Sequence, residues 1–462
     1  MDNELPGMLT LDALGDAIRS GEIDTVLAVF PDIYGRLMGK RVTGHHFLEH
    51  IAGGEMHVCD YLLACDMEMD PVPGYRFTSW ESGYGDMRYV PDLTTLRRAS
   101  WLPQTALVIG DLLTEPEGAP VEVAPRRMLQ RQLERMREAG FAVMGGAELE
   151  FYLFHETYES ARARRYEGLQ TSGFYSEDYH IFQGTKEDAL LGAIRRGLDN
   201  SGVPIESSKG EWGPGQQEIN LVYSDALTQA DRAVLYKHAA KEIAHAHGKA
   251  VTFMAKWDEN LAGSGLHVHL SLWDTEGQNN RFAGDTPLGP ARVSDTFRHF
   301  LGGLLAHARA ISVFFAPYVA SYKRYQAGSF APTAIAWSFD NRTAGFRVVG
   351  KGPSLRIECR IPGADANPYL VYAACLAAGL DGIRRHTEPP PQFQGDMYQA
   401  QDLPRVPATL REAISEFERS DLAREAFGAD VVEHYLHFLR TEQRKFDAVV
   451  TDWEKIRFFE RA

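Results

Sequence analysis

Four cysteines are all that 462 residues supply, and Cys59, Cys65, Cys359 and Cys375 form no Cys-x-x-Cys pair. A disulfide framework is thereby excluded, and reduced thiols in the cytoplasm are expected. No stretch of about 18 apolar residues occurs, so no membrane span is expected. The start, Met1-Asp2-Asn3-Glu4-Leu5, lacks a basic segment followed by an apolar one, so no secretory leader is expected. Basic residues are in deficit, 48 Lys and Arg against 63 Asp and Glu with a formal charge of −15, which removes the footprint that nucleic-acid binding needs. Low-complexity tracts and short-period repeats are absent. So are a G-x-x-x-x-G-K-[S/T] loop and a G-x-S-x-G elbow, which excludes P-loop nucleotide binding and gives no sign of a serine hydrolase.

What remains is a folded chain, 44% hydrophobic and 11% aromatic, too long for one ordinary core. Two or more domains, or one unusually large one, are expected. Two alternating runs, 25–30 and 37–42, flank a hairpin-like turn at 31–36, and residues 11–100 read as a small α+β unit. A stretch rich in Pro, Gly and Glu from Asp111 to Pro125 marks a boundary. Beyond it the pattern predicts an amphipathic helix over 126–139, with Met128, Leu129, Leu133 and Met136 inward and Gly140 as its stop. A second helix is expected over 230–247, with His238, His245 and His247 as ordinary exposed or capping residues. The tail, 410–417 and 431–459, reads as helices whose aromatic positions are core.

Four strand-like segments put ionisable groups on one face. Side chains alternate along a strand, so Glu148 shares a face with Glu150, His267 with His269 and Ser271, and Arg356 with Glu358 and Arg360. Gln217-Glu218-Ile219-Asn220-Leu221 is the fourth segment, and Glu211 precedes it across a Gly-Pro-Gly break. One polar face of this kind usually means solvent. Four of them, combining Glu148, Glu150, Glu211, Glu218 and Glu358 with His267, form an oxygen-rich set suited to Mg²⁺ or Mn²⁺ rather than to a thiolate zinc site. Arg342 and Arg347 join Arg356 and Arg360 as cations able to neutralise a transferring phosphoryl group or clamp a carboxylate.

Glu148-Leu149-Glu150-Phe151, Pro214-Gly215-Gln216-Gln217-Glu218, Gly263-Ser264-Gly265-Leu266-His267-Val268-His269, Ser321-Tyr322-Lys323-Arg324, Asn341-Arg342, Arg356-Ile357-Glu358-Cys359-Arg360 and Ala366-Asn367-Pro368-Tyr369-Leu370 occur in that order. With them the chain resembles the type I glutamine synthetases and their amine-ligase relatives over essentially its whole length. The resemblance implies an α+β fold: a small N-terminal β-grasp-like domain, 1–112, and a glutamine-synthetase-type catalytic domain, 113–462, with a curved antiparallel sheet flanked by helices. It implies that Glu150, Glu211 and Glu218 bind a metal on the amino-acid side, and Glu148, His267 and Glu358 one that bridges nucleotide phosphates. It further implies that His269 and Ser271 contact ATP, that Arg342, Arg347 and Arg356 bind phosphate, and that Arg324 and Arg360 hold the glutamate carboxylate. Gly263 would let that substrate approach the backbone. The cofactors expected are ATP and two or three Mg²⁺ or Mn²⁺ ions per site. The assembly expected is a dodecamer of two hexameric rings, and no AMP modification of Tyr398 is expected.

Departures from the family pattern bear on the acceptor. Gly328-Ser329-Phe330-Ala331-Pro332 has Phe330 where the family's flap carries a catalytic Glu, and the family's Asp-Gly-Ser-Ser segment is absent. His-His-Glu reads Lys209-Gly210-Glu211, and Ala262 replaces an Asn. Metal, phosphate and glutamate machinery is thus kept while the ammonium pocket is rebuilt. The expected activity is an ATP-dependent carbon–nitrogen ligation of glutamate to a small primary amine through a γ-glutamyl phosphate, ethanolamine being favoured. The alternatives, in order, are a γ-glutamylpolyamine synthetase drawing on Asp66, Glu68 and Asp70, an ammonium-using glutamine synthetase, and a catalytically inactive structural or regulatory homologue.

Overall fold

Asp32 shapes the first hairpin: its carboxylate accepts the backbone N–H groups of Tyr34 and Arg36 at 3.0 and 2.8 Å and pairs with the Arg36 guanidinium at 2.7 Å. That turn joins strands β1 (Thr25–Pro31) and β2 (Leu37–Thr43) at the position the sequence predicts. The computed structural model describes residues 5–462, so the leader reading on Met1–Glu4 lies outside the described residues. β3 (Met56–Cys59), β4 (Asp86–Pro91), β5 (Arg97–Arg98) and β6 (Thr105–Thr114) complete a six-stranded sheet ordered β2-β1-β6-β4-β3, with β5 on β6. β6 runs parallel to β1 and antiparallel to β4, a hairpin paired with a returning strand in β-grasp fashion. Its central place explains its apolar run, since both of its faces are covered.

The larger sheet has nine strands: β7 (Ala142–Phe154), β8 (Ile205–Gly210), β9 (Gln216–Leu221), β10 (Ser224–Asp225), β11 (Ala250–Thr252), β12 (Leu266–Trp273), β15 (Trp337–Phe339), β16 (Phe346–Val349) and β17 (Arg356–Cys359). A separate hairpin, β13 (Ala283–Leu288) and β14 (Ala291–Val293), lies outside it. The order β15-β16-β17-β12-β7-β9-β8 is antiparallel except between β15 and β16. Along β12, Leu266, Val268, Leu270 and Leu272 are fully buried on one face, and His267, His269 and Ser271 point to the other. The helices Ala226–Ala246, which lies against β7, and Pro368–Arg385 pack in the same apolar core.

The helix Pro125–Glu138 buries Met128, Leu129 and Met136 as expected, with Leu133 partly buried. The next expected helix begins earlier than its apolar pattern suggests, at Ala226, because Asp225 caps it by accepting the Thr228 N–H. His247 closes that helix through its ring nitrogen and the Ile243 carbonyl at 2.8 Å, a capping role. The tail corrects two expectations. A helix at Asp421–Phe427, not anticipated, follows Leu410–Glu418, and the long terminal segment is two helices, Ala429–Asp447 and Asp452–Phe458, broken where Thr451 caps the second. Tyr435 and Phe438 are core, but Phe446, in the last turn of Ala429–Asp447, and Trp453, Phe458 and Phe459 after it are exposed, because the chain leaves the core as that helix ends.

Arg126 ties the two sheets' surroundings together. Its side chain is 2% exposed and pairs with Asp92 and Asp111 from the N-terminal sheet, each at 2.7 Å, and with Asp231 of Ala226–Ala246 at 3.1 Å. Removing one member of such a buried network leaves the others without a counter-charge. Arg126→Met should lower the unfolding free energy by about 3 kcal/mol or more, read from denaturant midpoints. A loss below about 1 kcal/mol would show that the carboxylates are already satisfied by water.

Candidate active site

Strand register, more than loop placement, assembles the charged face. His267 lies opposite Glu148, Glu150 opposite Glu218, Lys209 opposite Glu218, and Glu358 opposite both His269 and Arg347. Directly opposed residues are neighbours on one face, so six strands, β7, β8, β9, β12, β16 and β17, deliver their ionisable groups to one place. Glu211 joins from the turn after β8, which returns through Gly215 at a positive φ of 75°.

Three groups of ligand atoms result, each with all members within 4.8 Å of one another: Glu150 with Glu211 and Glu218, Glu148 with Glu218 and His267, and Glu148 with His269 and Glu358. The first is the trio the sequence predicts. In the last, His269 stands with Glu148 and Glu358, although the resemblance assigned it to ATP; His267 lies 3.4 Å from Glu148 and 3.7 Å from Glu358, so both imidazoles are within reach. The electrostatics divide the same way. Burial, then the Glu211 charge, pushes Glu150 up, and burial with Glu211 and Glu150 pushes Glu218 well up, the behaviour of crowded carboxylates short of positive charge. Burial also opposes ionisation of Glu148 and Glu358, but hydrogen bonds from His267 and His269 hold Glu148 low, and Arg360, then His269 and His267, hold Glu358 at about 2. Burial and the Arg360 charge draw His267 down to about 4, leaving a neutral imidazole suited to ligation. This donor set, anionic oxygens with neutral imidazoles and unmet charge, fits a hard divalent cation.

The guanidinium groups hold distinct stations. Arg360 donates to Glu358 at 2.5 Å, and Arg347 bonds both Glu358, at 2.8 Å, and Asp340. Arg356 donates to His269 Nδ1 at 3.2 Å, and Arg324 donates to the carbonyls of Ile361 and Arg360 at 2.8 and 3.3 Å. Arg324 and Arg360 are each 3% exposed, and each keeps a buried Nε with no partner. Both residues line a cavity, where a guanidinium can seat an anion. Gly263 is required nearby, because a Cβ there would stand 2.6 Å from the Ala255 carbonyl and 2.6 Å from Arg324 Cγ. The glycine thus makes room for Arg324, a reason not visible in the sequence.

Two cavities meet at this face. One, about 330 Å³, is lined by Arg324, Arg342, Arg347 and Arg360, by Gly263 and by the acidic trio. The other, about 640 Å³, takes His269, Ser271, Arg356 and Trp273, and Glu148 and Asn220 line both. Arg342 and Arg347 therefore open onto the first cavity and Arg356 onto the second, with Glu148 and Asn220 between. Ser271 accepts a hydrogen bond from Trp273 Nε1 at 2.9 Å.

At the mouth of the first cavity sequence reasoning found Phe330 but missed its neighbours Trp212, Asp178 and Tyr179. Phe330 is half-exposed at a φ of 58°, and its ring meets Trp212 edge-on at 5.8 Å. Asp178 and Tyr179 line the same mouth, held there because Asp178 N–H donates to the Glu211 carbonyl and because buried Glu177 accepts from Gly215 N–H at 3.0 Å. That segment has no alternating pattern to announce it. Gln216 was likewise missed as a hub: it donates to Gly263 O and Ser264 Oγ at 3.0 and 3.2 Å and to Glu150 at 3.3 Å. Lys209 also lines this cavity, its Nζ paired with Glu211 and 4.6 Å from the centre of the Tyr179 ring.

Comparison with known proteins agrees with this geometry. Residues 122–458 match the glutamine synthetase catalytic domain. The chain is 46% identical over 453 residues to gamma-glutamylethanolamide synthetase GlnA4 of Streptomyces coelicolor, covering 98% of this chain and 96% of that one. It is 36% identical over 448 residues to the glutamate–isopropylamine ligase of a Pseudomonas species, covering 96% and 97%. Among solved structures, ligand-free GmaS superposes with a TM-score of 0.84 at 28% identity over 97% of this chain and 99% of that one. The chain belongs to the glutamine synthetase family.

Proposed function

We propose that this chain joins glutamate to a small primary amine, using ATP to form a γ-glutamyl phosphate that the amine then attacks, with ethanolamine the favoured acceptor. The observation that carries the reading is the mouth of the smaller cavity. Phe330 and Trp212 replace anionic surface with aromatic surface there, and of the carboxylates lining that cavity all but Asp178 belong to the metal-binding groups. One carboxylate beside two rings suits a singly charged organic amine. The named activities of the relatives, one an ethanolamide synthetase and one an isopropylamine ligase, support an amine of this size. Ser207 and Ser329 line the cavity as hydroxyl partners that an amino alcohol could use and isopropylamine could not. The polyamine alternative is less favoured, because two of the three carboxylates it would draw on, Asp66 and Glu68, are paired with Lys445 of Ala429–Asp447.

In this reading Arg324 and Arg360, which line the smaller cavity, seat the glutamate carboxylate, leaving the γ-carboxylate toward the acidic face. Two or three Mg²⁺ or Mn²⁺ ions, held by Glu150, Glu211 and Glu218 and by Glu148, Glu358 and the two imidazoles, would neutralise phosphate oxygens there. Nucleotide fits the larger cavity beside His269, Ser271 and Arg356, and Arg342 and Arg347 stand where charge develops as the phosphoryl group moves. An ammonium form cannot attack, so Asp178 accepts its proton at the mouth while Trp212 and Phe330 limit water at the acyl phosphate. Assembly into two stacked hexameric rings belongs to the same reading. An inactive homologue would gain nothing from keeping crowded carboxylates that repel one another.

With glutamate, ATP and Mg²⁺, ethanolamine should release phosphate at least about tenfold faster than ammonium at equal concentration. Phe330→Glu should move the preference toward ammonium without added backbone strain, because both residues pay the same cost at positive φ. Equal use of ammonium by the unaltered chain would leave an ordinary glutamine synthetase. Arg360→Ala should raise the KM for glutamate far more than that for ATP, by about 10²-fold. An unchanged glutamate KM would remove Arg360 from the substrate seat.

A further inference from the structure

We infer that Lys209 is a cation built into the acidic centre, which neutralises the Glu150–Glu211–Glu218 trio when no metal is there and competes with a divalent ion for Glu211. The inference rests on the reading of that trio as a metal site and adds to it a residue that sets the site's affinity.

The geometry begins with the β8–β9 pairing, which places Lys209 directly opposite Glu218. Its Nζ is paired with Glu211 and lies 3.6 Å from Glu218 Oε1, so one ammonium spans two of the three carboxylates. The side chain is only 21% exposed, which limits screening by water and salt. The third carboxylate, Glu150, is served differently, by the Gly265 N–H at 2.7 Å and by Gln216. Each carboxylate of the trio therefore has at least one neutral or cationic neighbour supplied by the chain itself. A divalent ion ligated by Glu211 and Glu218 would stand against the ammonium at close range, and like charges so placed repel. The Tyr179 ring, 4.6 Å from Nζ at its centre, is a further neighbour that Lys209 would keep if metal took Glu211 from it. Lys209 also stabilises the empty site, where the Glu211 and Glu218 carboxyl groups would otherwise crowd each other with no cation beside them.

The test compares the unaltered chain with Lys209→Met, which keeps the apolar stem against Tyr179 and removes the charge, and with Lys209→Arg, which keeps the charge. Mn²⁺ binding followed by electron paramagnetic resonance should show one class of site tightened about tenfold or more in Lys209→Met and near its original affinity in Lys209→Arg. Metal-free Lys209→Met should melt below the unaltered chain, and saturating Mn²⁺ should abolish that difference. Unchanged or weaker Mn²⁺ binding by a folded Lys209→Met, or an unchanged metal-free melting temperature, overturns the inference alone. An unaltered chain that binds no Mn²⁺ overturns the metal reading as well.

Discussion

The structure is organised around an electrostatic debt. Five buried or half-buried glutamates lie on one face of one sheet, close enough for their oxygens to form ligand groups within 4.8 Å. Nothing in strand propensity favours such crowding, and buried carboxylates of like charge oppose folding. The chain meets the debt locally. Arg347 and Arg360 bracket Glu358, two imidazoles serve Glu148, Lys209 serves Glu211 and Glu218, and backbone and amide N–H groups serve Glu150. Burial and mutual repulsion still push Glu150 and Glu218 up, which leaves room for the charge of a divalent ion in the proposed reading.

Separation of tasks follows from the same face. Glu148 and Asn220 line both cavities, so in the proposed reading a phosphoryl donor in the larger one and a carboxyl acceptor in the smaller one meet beside them. The mouth of the smaller cavity, the proposed amine end, is ordered by loops rather than by strands. Phe330 holds a left-handed backbone conformation costing roughly 1–3 kcal/mol, and Tyr398, whose hydroxyl donates to the Ala331 carbonyl at 2.9 Å, braces the segment. Strain at an acceptor mouth fixes one side chain in place at the expense of local stability.

The parts legible in the sequence were those governed by strand periodicity. Alternation in 265–271 and 355–361 is enough to place His267, His269, Arg356 and Glu358 on functional faces, because a strand has only two sides. Motif resemblance supplied the roles and the two-part α+β fold. Loop geometry was illegible: Asp178 and Tyr179 reach the mouth through Glu177 and backbone bonds to Gly210 and Glu211, contacts with no local pattern. So was the reason for Gly263, which depends on an arginine 61 positions away folding against it. The tail misled because aromatic residues in a helical pattern read as core, and exposure beyond Asp447 depends on where the rest of the chain ends.

The central claim is that a γ-glutamyl phosphate forms between the two cavities before the amine arrives. Glutamate labelled with oxygen-18 in its γ-carboxylate, incubated with the full chain, ATP, Mg²⁺ and ethanolamine, tests it by mass spectrometry of the phosphate released. The account predicts one labelled oxygen in each phosphate and the γ-glutamylethanolamide in matching amount. Unlabelled phosphate, or phosphate release without an amide, would contradict it.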